Sequence, residues 1–97
     1  MKVICKVRNQ DGKSIFVEKN GFTLLDDKSL CVVHNTDWKC WDIIDIDSGL
    51  KVISAKTRKL LLQNWTAKKC ELQEAIDEAR KADYYKKAVK ELEDYLS

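Results

Sequence analysis

The sequence predicts an α+β fold: an antiparallel β-meander of five to six short strands over about residues 2–54, followed by a helical segment. The helical segment covers about residues 56–96 and is expected to pack on one face of the sheet. Two observations lead to this prediction. Up to Gly49, short apolar segments alternate with turn sequences, which is typical of antiparallel strands. Beyond residue 55, apolar residues recur at helical spacing, and the chain contains no proline.

The length and composition of the chain indicate one globular domain. Its 97 residues divide into a sheet part, residues 1–54, and a helical part, residues 55–97. A composition of 44% hydrophobic and 35% charged residues is typical of a globular chain rather than a disordered one. No apolar run is long enough to span a bilayer, and the N-terminus has no apolar signal core. We therefore expect a cytoplasmic protein with no membrane partner.

The first half of the chain reads as short strands separated by turns. Val3, Cys5 and Val7 alternate with polar residues, which indicates a half-buried first strand. Asn20–Gly21 is the strongest hairpin signal and predicts a turn between the second and third strands. The later strands are predicted at residues 14–18, 22–25, 30–34, 39–46 and 50–54. The other predicted turns are Asn9–Gly12, Asp26–Lys28, Asn35–Asp37 and Asp47–Gly49.

The alternation of apolar residues slips within the fifth predicted strand. Trp41 and Ile43 share one face of that strand, whereas Ile44 and Ile46 share the other. A β-bulge, or burial on both faces, would explain the slip.

The helical segment is expected to form two helices. Ser54 or Thr57 can cap its start. A break is predicted near Asn64–Thr66 or at Asp83, because a single helix of about forty residues would extend well beyond a small sheet. The apolar stripe of the last helix, Tyr84–Leu96, would serve as a homodimer surface if the first helix already covers the sheet.

The four cysteines are interpreted as free thiols, because the chain does not read as secreted and three of them lie in apolar segments. One internal disulfide is left open. A zinc site is disfavoured, because Cys31 and His34 are three apart on a strand and point to opposite faces. Nothing places a cysteine beside the single histidine for nucleophilic catalysis. We predict no metal, no cofactor and no catalytic residue.

Three aspartates near the fifth strand form an acidic set, defined as Asp42, Asp45 and Asp47. Carboxylates at this spacing can coordinate a divalent cation, but the stretch lacks the closing glutamate of a calcium loop. The favoured interpretation is a solvated strand end followed by a turn.

Charge is distributed unevenly along the chain. Residues 51–69 carry six basic groups and no acid, whereas residues 70–97 carry five basic and eight acidic groups. Lys56, Arg58 and Lys59 fall at the predicted helix start, where each exposed cation opposes the helix dipole by about 0.3–1 kcal/mol. Two interpretations follow: the acidic set neutralises these cations locally, or an anionic partner does so.

These features predict a non-enzymatic protein-binding module, because the chain is small, its charge is segregated and it has no catalytic constellation. Inhibitors that a phage or mobile element directs against a bacterial host or defence complex, of the anti-CRISPR type, share this general profile. The expected partner is a protein with an acidic or nucleic-acid-mimicking surface. The alternative is a nucleic-acid-binding accessory protein that uses the basic segment 51–69. The expected partner-binding residues are Lys56, Arg58, Lys59, Trp38, Lys68 and Lys69.

Overall fold

The structure, a computed structural model, describes residues 2–8, 11–24, 27–36 and 38–97. Within these residues, five antiparallel strands precede three helices, and the strand order in the sheet follows the chain order. The predicted α+β meander with C-terminal helices is therefore confirmed. The strands are β1 (Lys2–Arg8), β2 (Ser14–Thr23), β3 (Leu30–Asn35), β4 (Cys40–Asp45) and β5 (Lys51–Ala55). The helices are α1 (Arg58–Ala67), α2 (Lys69–Lys81) and α3 (Asp83–Leu96). Parts of three predicted turns, Asn9–Gln10, Asp26 and Asp37, lie outside the described residues.

Strand β2 shows that the predicted hairpin turn at Asn20–Gly21 is wrong. Residues 14–20 pair with β1 and residues 21–23 pair with β3, so two predicted strands are one strand of 10 residues. A Cβ atom on Gly21 would lie only 2.7 Å from the carbonyl oxygen of Val32. Gly21 therefore permits a close approach between strands where β2 changes partner, rather than a turn.

The irregularity predicted in the fifth strand is present in β4. Its register against β5 shifts between Ile43 and Ile44. Ile43 is buried on the face that the helices cover, and Ile44 is buried on the opposite face. Successive residues of a strand point to opposite faces, so β4 is buried on both faces in addition to carrying the register shift.

The sheet buries apolar side chains on both faces, which we call the helical face and the inner face. The helical face carries a cluster that includes Val32, Ile43, Leu61 and Trp65. The inner face carries a second cluster, and its buried members are Val3, Cys5, Cys31, Val33 and Ile44. Because β1 and β4 are not neighbours in the sheet, their shared cluster requires the sheet to curl around its inner face.

The curl brings β1 against the turn between β4 and β5. The backbone N–H of Lys6 donates to the carbonyl oxygen of Gly49 at 2.9 Å. Gly49 has a φ of +74°, and a Cβ atom there would lie 3.0 Å from the Ile4 carbonyl oxygen. Glycine is therefore required at this position both for its backbone conformation and for the contact with β1.

We expect Gly49→Ala to lower the free energy of unfolding by about 2–3 kcal/mol, because it combines left-handed strain with overpacking against β1. Gly12 provides a matched control, since its φ is +80° and a Cβ atom there would meet nothing within 4 Å. Gly12→Ala should therefore cost only the strain, about 1–2 kcal/mol. Urea denaturation of both variants measures the difference, and equal losses would contradict a role for the contact with β1.

Helix α1 begins directly after one of the two residues predicted to cap it. The Thr57 hydroxyl accepts a hydrogen bond from the Leu60 N–H at 3.1 Å, so Thr57 is the N-cap. The break predicted near Asn64–Thr66 is wrong in position, because α1 continues to Ala67 and the Thr66 hydroxyl donates to the Leu62 carbonyl oxygen at 3.0 Å within it. Of the two expected cap residues, Thr57 and not Ser54 therefore caps α1.

Two breaks divide the helical segment, so it forms three helices among the described residues rather than two. The first break is at Lys68, and the second is at Ala82, which takes an extended conformation. Asp83 opens α3 without capping it through its side chain. A carboxylate in this first turn still complements the helix dipole. No helix of the described chain is long and apolar enough to cross a membrane.

Helix α3 packs beside β1 and β2. Lys6 Nζ lies 2.8 Å from a Glu91 carboxylate oxygen, and the rings of Phe16 and Tyr95 have centroids 5.0 Å apart. Leu92 is buried in this contact region, whereas other apolar side chains of α3 remain exposed. The helix therefore already covers part of its own sheet, and a homodimer through α3 stays a prediction.

Asp45 connects the sheet to α2 and α3. It is 3% exposed and accepts hydrogen bonds from the Ser48 hydroxyl at 2.6 Å and from the Ser48 N–H at 3.2 Å. Its other carboxylate oxygen accepts from Arg80 Nη2 at 3.0 Å, and the same nitrogen donates to the Ser29 hydroxyl. Burial, together with a hydrogen bond to Asp45, raises the pKa of Tyr85 to about 12.

This environment predicts a stability loss at high pH that depends on Tyr85. Because its pKa rises from an ordinary 10.0 to about 12 in the folded chain, the folded state holds the phenolic proton more tightly. The resulting stabilisation is fully present below pH 10 and is lost as the pH rises toward 12. Thermal unfolding of the wild type should therefore weaken more steeply across this range than that of Tyr85→Phe. Parallel curves for the two proteins would contradict this assignment.

Candidate partner-binding site

The start of α1 carries three cations that face solvent. We call Lys56, Arg58 and Lys59 the basic helix start, and all three are exposed. None of them takes part in an ion pair within the described residues. The guanidinium carbon of Arg58 lies 4.4 Å from the centroid of the Phe22 ring, which is a cation–π geometry.

The acidic set does not neutralise the basic helix start, so that interpretation is wrong. Asp42 accepts from Asn35 Nδ2 at 3.2 Å, and Asp45 pairs with Arg80. Both carboxylates are buried, which also corrects their interpretation as a solvated strand end. Asp47 alone of the three is exposed. Within the described residues, no member of the acidic set therefore forms an ion pair with the basic helix start.

The basic helix start coincides with the positive end of a helix dipole. The first turn of α1 contains no acidic residue. Exposed cations at this position each cost about 0.3–1 kcal/mol, and they add to the positive potential of the free N–H groups. An anion that binds at this end would offset both the cost of the exposed cations and the positive potential of the free N–H groups.

Trp38 lies in the turn between β3 and β4 and is 78% exposed. Its backbone N–H donates to Asn35 Oδ1 at 3.3 Å, which ties the turn to the end of β3. The next residue, Lys39, is exposed and has a φ of +52°. The exposure expected for Trp38 is therefore observed, and its role as a partner contact stays a prediction.

The strand register brings Trp38 and the basic helix start to the same end of the sheet. Cys40 pairs with Asn35, and Trp41 pairs with Ala55, the residue before Lys56. The tip of the β3–β4 hairpin and the entry to α1 therefore lie at the same end of the sheet. Trp38 is on the inner face, near Asp42 and Ile44, whereas Arg58 lies over Phe22 on the helical face. His34 is exposed at this end, and its ring stacks on Trp41 with centroids 4.6 Å apart. We call this region the basic sheet end, and its members are Trp38, Lys56, Arg58, Lys59, His34 and Trp41.

Lys68 and Lys69 are not part of the basic sheet end. They lie at the junction of α1 and α2, one helix length away. A helix of 10 residues is about 15 Å long, so these lysines cannot share a compact contact with the helix start. The structure thus places four of the six predicted partner-binding residues, Trp38, Lys56, Arg58 and Lys59, at one end of the sheet.

No protein-family model, curated protein or solved structure matches this chain. The basic sheet end is therefore interpreted from its own chemistry, which combines cations that have no ion-pair partner in the described part of the chain with exposed or stacked aromatic rings.

The sequence interpretation missed Phe22 and Asp42. Phe22 is 38% exposed and supports the Arg58 guanidinium, but it comes from a strand 36 positions earlier. Asp42 is buried on the inner face, although its position in the sequence resembles that of a surface carboxylate. Neither placement has a local sequence signal, because each depends on how the sheet curls.

The cysteines of the described chain are free thiols: Cys5 and Cys31 are buried, Cys40 is half-buried and Cys70 is exposed. Burial raises the pKa of Cys31 to about 12, which keeps it protonated and weakly nucleophilic at neutral pH. Among the described residues, no three His, Cys, Asp or Glu side chains are grouped closely enough to hold a metal ion. The chemistry that the basic sheet end offers is binding by charge and aromatic contact.

Proposed function

We propose that this protein is a non-enzymatic binding module that recognises an acidic surface of another protein through its basic sheet end. The observation that supports this function is the group Lys56, Arg58 and Lys59, exposed and without acidic partners among the described residues. Trp38, which is 78% exposed, lies at the same end of the sheet. Tryptophan and arginine are the residues most often found at energetic hot spots of interfaces.

The two kinds of group have separate roles in this proposal. The cations attract the acidic partner and fix its orientation, which chiefly affects the association rate. Trp38 supplies apolar contact area that becomes buried on binding. An inhibitor directed by a phage or mobile element against a bacterial host or defence complex belongs to this class, and a nucleic-acid-mimicking protein surface has the required charge.

A second candidate function is binding of single-stranded nucleic acid. It is favoured by the stacked pair His34 and Trp41 and by exposed Trp38 near several cations, because bases stack on aromatic rings while cations contact phosphates. The eight acidic residues of segment 70–97 reduce the long-range attraction for a polyanion. We therefore rank it second.

The test is a charge-reversal variant, Lys56→Glu with Arg58→Glu and Lys59→Glu, and affinity capture from nuclease-treated lysate followed by titration with the purified partner. Glutamate at positions 58 and 59 complements the helix dipole and offsets the lost contact of Arg58 with the Phe22 ring, so this variant should fold about as stably as the wild type. We expect at least a tenfold loss of affinity, mostly through a slower association rate. Trp38→Ala should lower affinity mainly by faster dissociation.

The matched control reverses three exposed lysines of α3, Lys86, Lys87 and Lys90, to glutamate, which changes the net charge by the same amount. This control should keep wild-type affinity for the partner. Fluorescence anisotropy with a labelled single-stranded oligonucleotide distinguishes the second candidate function. Salt-sensitive oligonucleotide binding that the reversal at α1 abolishes would favour it. Unchanged binding of every partner by the α1 variant would exclude the basic sheet end as the site.

A further inference from the structure

The inner face of the curled sheet opens into a cavity of about 260 Å³. Its apolar wall includes Cys5, Val33 and Ile44, which are buried members of the inner cluster. Trp38 also lines the cavity and is largely exposed, so it stands at the rim. The remaining described lining residues are Lys6, Val7, Lys19, Asn35, Asp42 and Lys51.

Asp42 is a buried carboxylate in this cavity that has no cationic partner. It is 5% exposed, and its oxygens accept from Asn35 Nδ2 at 3.2 Å and from Cys40 Sγ at 3.5 Å. Within the described residues it takes part in no ion pair. Buried charges in proteins are normally paired, so an ammonium group beside Asp42 would supply the counter-charge that this carboxylate lacks within the described residues.

Two lysines near this carboxylate are not used by another ion pair in the described chain. Lys19 Nζ donates to Asn35 Oδ1 at 3.4 Å, and Lys51 is exposed on β5. Both lysines line the same cavity as Asp42, and Lys51 is the register partner of Ile44 on β4. Because Lys6, the third lysine of the lining, is paired with Glu91, the cavity presents one carboxylate and two ammonium groups without an ion-pair partner among the described residues.

We propose that this cavity binds a free α-amino acid with an aliphatic side chain. The ammonium group of the ligand donates to Asp42, and its carboxylate pairs with Lys19 and Lys51. The aliphatic side chain packs against Val33 and Ile44. The volume is below the roughly 300–1,000 Å³ of ordinary ligand pockets, which restricts the occupant to a small molecule.

The zwitterion fits this arrangement better than a singly charged ligand does. A simple amine would satisfy Asp42 but would be repelled by both lysines. A simple carboxylate would pair with the lysines and leave Asp42 unpaired at the same site. A ligand that carries both charges supplies a cation to the buried Asp42 carboxylate and an anion to the two lysines at once.

The test is an NMR titration of the ¹⁵N-labelled full chain with L-leucine, L-valine and L-methionine as probes. Two analogues of leucine serve as ligand controls: 3-methylbutan-1-amine lacks the carboxylate, and 4-methylpentanoate lacks the ammonium group. We expect saturable shifts of the Trp38 indole and Asn35 side-chain amide signals with at least one amino acid. Leucine should bind at least tenfold more tightly than either analogue. The absence of saturable shifts with all three probes at millimolar concentration would overturn the proposal.

Variants locate the binding within the cavity. Asp42→Asn should weaken amino-acid binding at least tenfold, whereas Asp47→Asn at an exposed position should not change it. Because Asp42 is buried, Lys51→Gln provides a second test at an exposed strand position and should also weaken binding. Affinity unaffected by Asp42→Asn and Lys51→Gln would overturn the proposal. Charge reversal of the basic helix start should leave amino-acid binding intact, so this site and the partner surface are tested separately.

Discussion

Asp45→Ala should lower the free energy of unfolding by about 3–5 kcal/mol, as expected when one partner of a buried charge pair is removed. Asp45 is 3% exposed and accepts hydrogen bonds from Ser48 and Arg80. Its loss leaves the Arg80 guanidinium facing a buried region without its counter-charge. The guanidinium would keep its hydrogen bond to the neutral Ser29 hydroxyl, and its Nε atom is already buried without a hydrogen-bond partner among the described residues, so no described group replaces the lost charge. Urea denaturation followed by circular dichroism measures the change.

The matched control is Asp47→Ala, two positions along the same turn. Asp47 is exposed, so this substitution should change the free energy of unfolding by no more than about 0.5 kcal/mol. Equal losses for the two alanine variants would contradict a special role for the Asp45 carboxylate.

A double variant distinguishes the pair from its environment. Asp45→Ala combined with Arg80→Met removes both charges, so no buried charge remains without a partner. We expect it to be less destabilised than the sum of its two single variants. Strict additivity would show that Asp45 and Arg80 contribute independently, contrary to their contact at 3.0 Å.

The position of Asp45 illustrates which features of this fold sequence patterns can predict. Asp45 precedes a turn, where carboxylates are usually solvated, and that local pattern gave the wrong environment. Its partner Arg80 is 35 positions away on a helix whose neighbouring residues are mostly charged. No periodicity marks Arg80 as the residue that reaches the sheet, so this contact depends on tertiary packing alone.

The elements themselves were largely predictable because they rest on local periodicity. Alternation gave the strands, and helical spacing after residue 55 gave the C-terminal helices. The turn predicted at Asn20–Gly21 is wrong because glycine is favoured in two different situations: a turn conformation and a close approach between strands. Here glycine is needed because the Val32 carbonyl group on the neighbouring strand lies close to it, and no local sequence pattern reveals that contact.

The residues of the candidate site could be predicted from the sequence, but their spatial arrangement could not. The cations of the basic helix start and the exposure of Trp38 follow from the sequence. Their convergence follows from the pairing of Trp41 with Ala55, which the sequence did not specify. The separation of Lys68 and Lys69 from them follows from the length of α1. The cavity around Asp42 could not be anticipated, because it exists only when the sheet curls.

Trp65→Ala should also lower the free energy of unfolding by about 3–5 kcal/mol, the usual cost of removing a large buried aromatic side chain. Trp65 is 2% exposed and lies in the cluster on the helical face with Leu61 and Val32. Denaturation by urea measures this loss. A loss of less than about 1 kcal/mol in the free energy of unfolding would contradict a large contribution of the Trp65 side chain to packing on the helical face.

Trp65→Phe is the more informative variant at this position. The indole Nε1 is buried and has no hydrogen-bond partner in the described chain, and an unsatisfied buried donor costs about 1–3 kcal/mol. Phenylalanine removes that donor, which offsets part of the lost packing, so we expect a net loss of about 1 kcal/mol or less. A loss as large as that of Trp65→Ala would show that packing volume alone decides stability here.

The same pair of variants connects stability to the proposed function. Trp65 anchors the middle of α1 to the sheet, and the basic helix start lies about two turns before it on the same helix. Loosening of the anchor by Trp65→Ala should therefore let the cations move relative to Trp38 and weaken partner binding, although no contact residue has changed. Trp65→Phe should keep both the anchor and the affinity. If Trp65→Ala binds its partner as tightly as the wild type, the partner contacts the helix start alone and does not require its fixed position on the sheet.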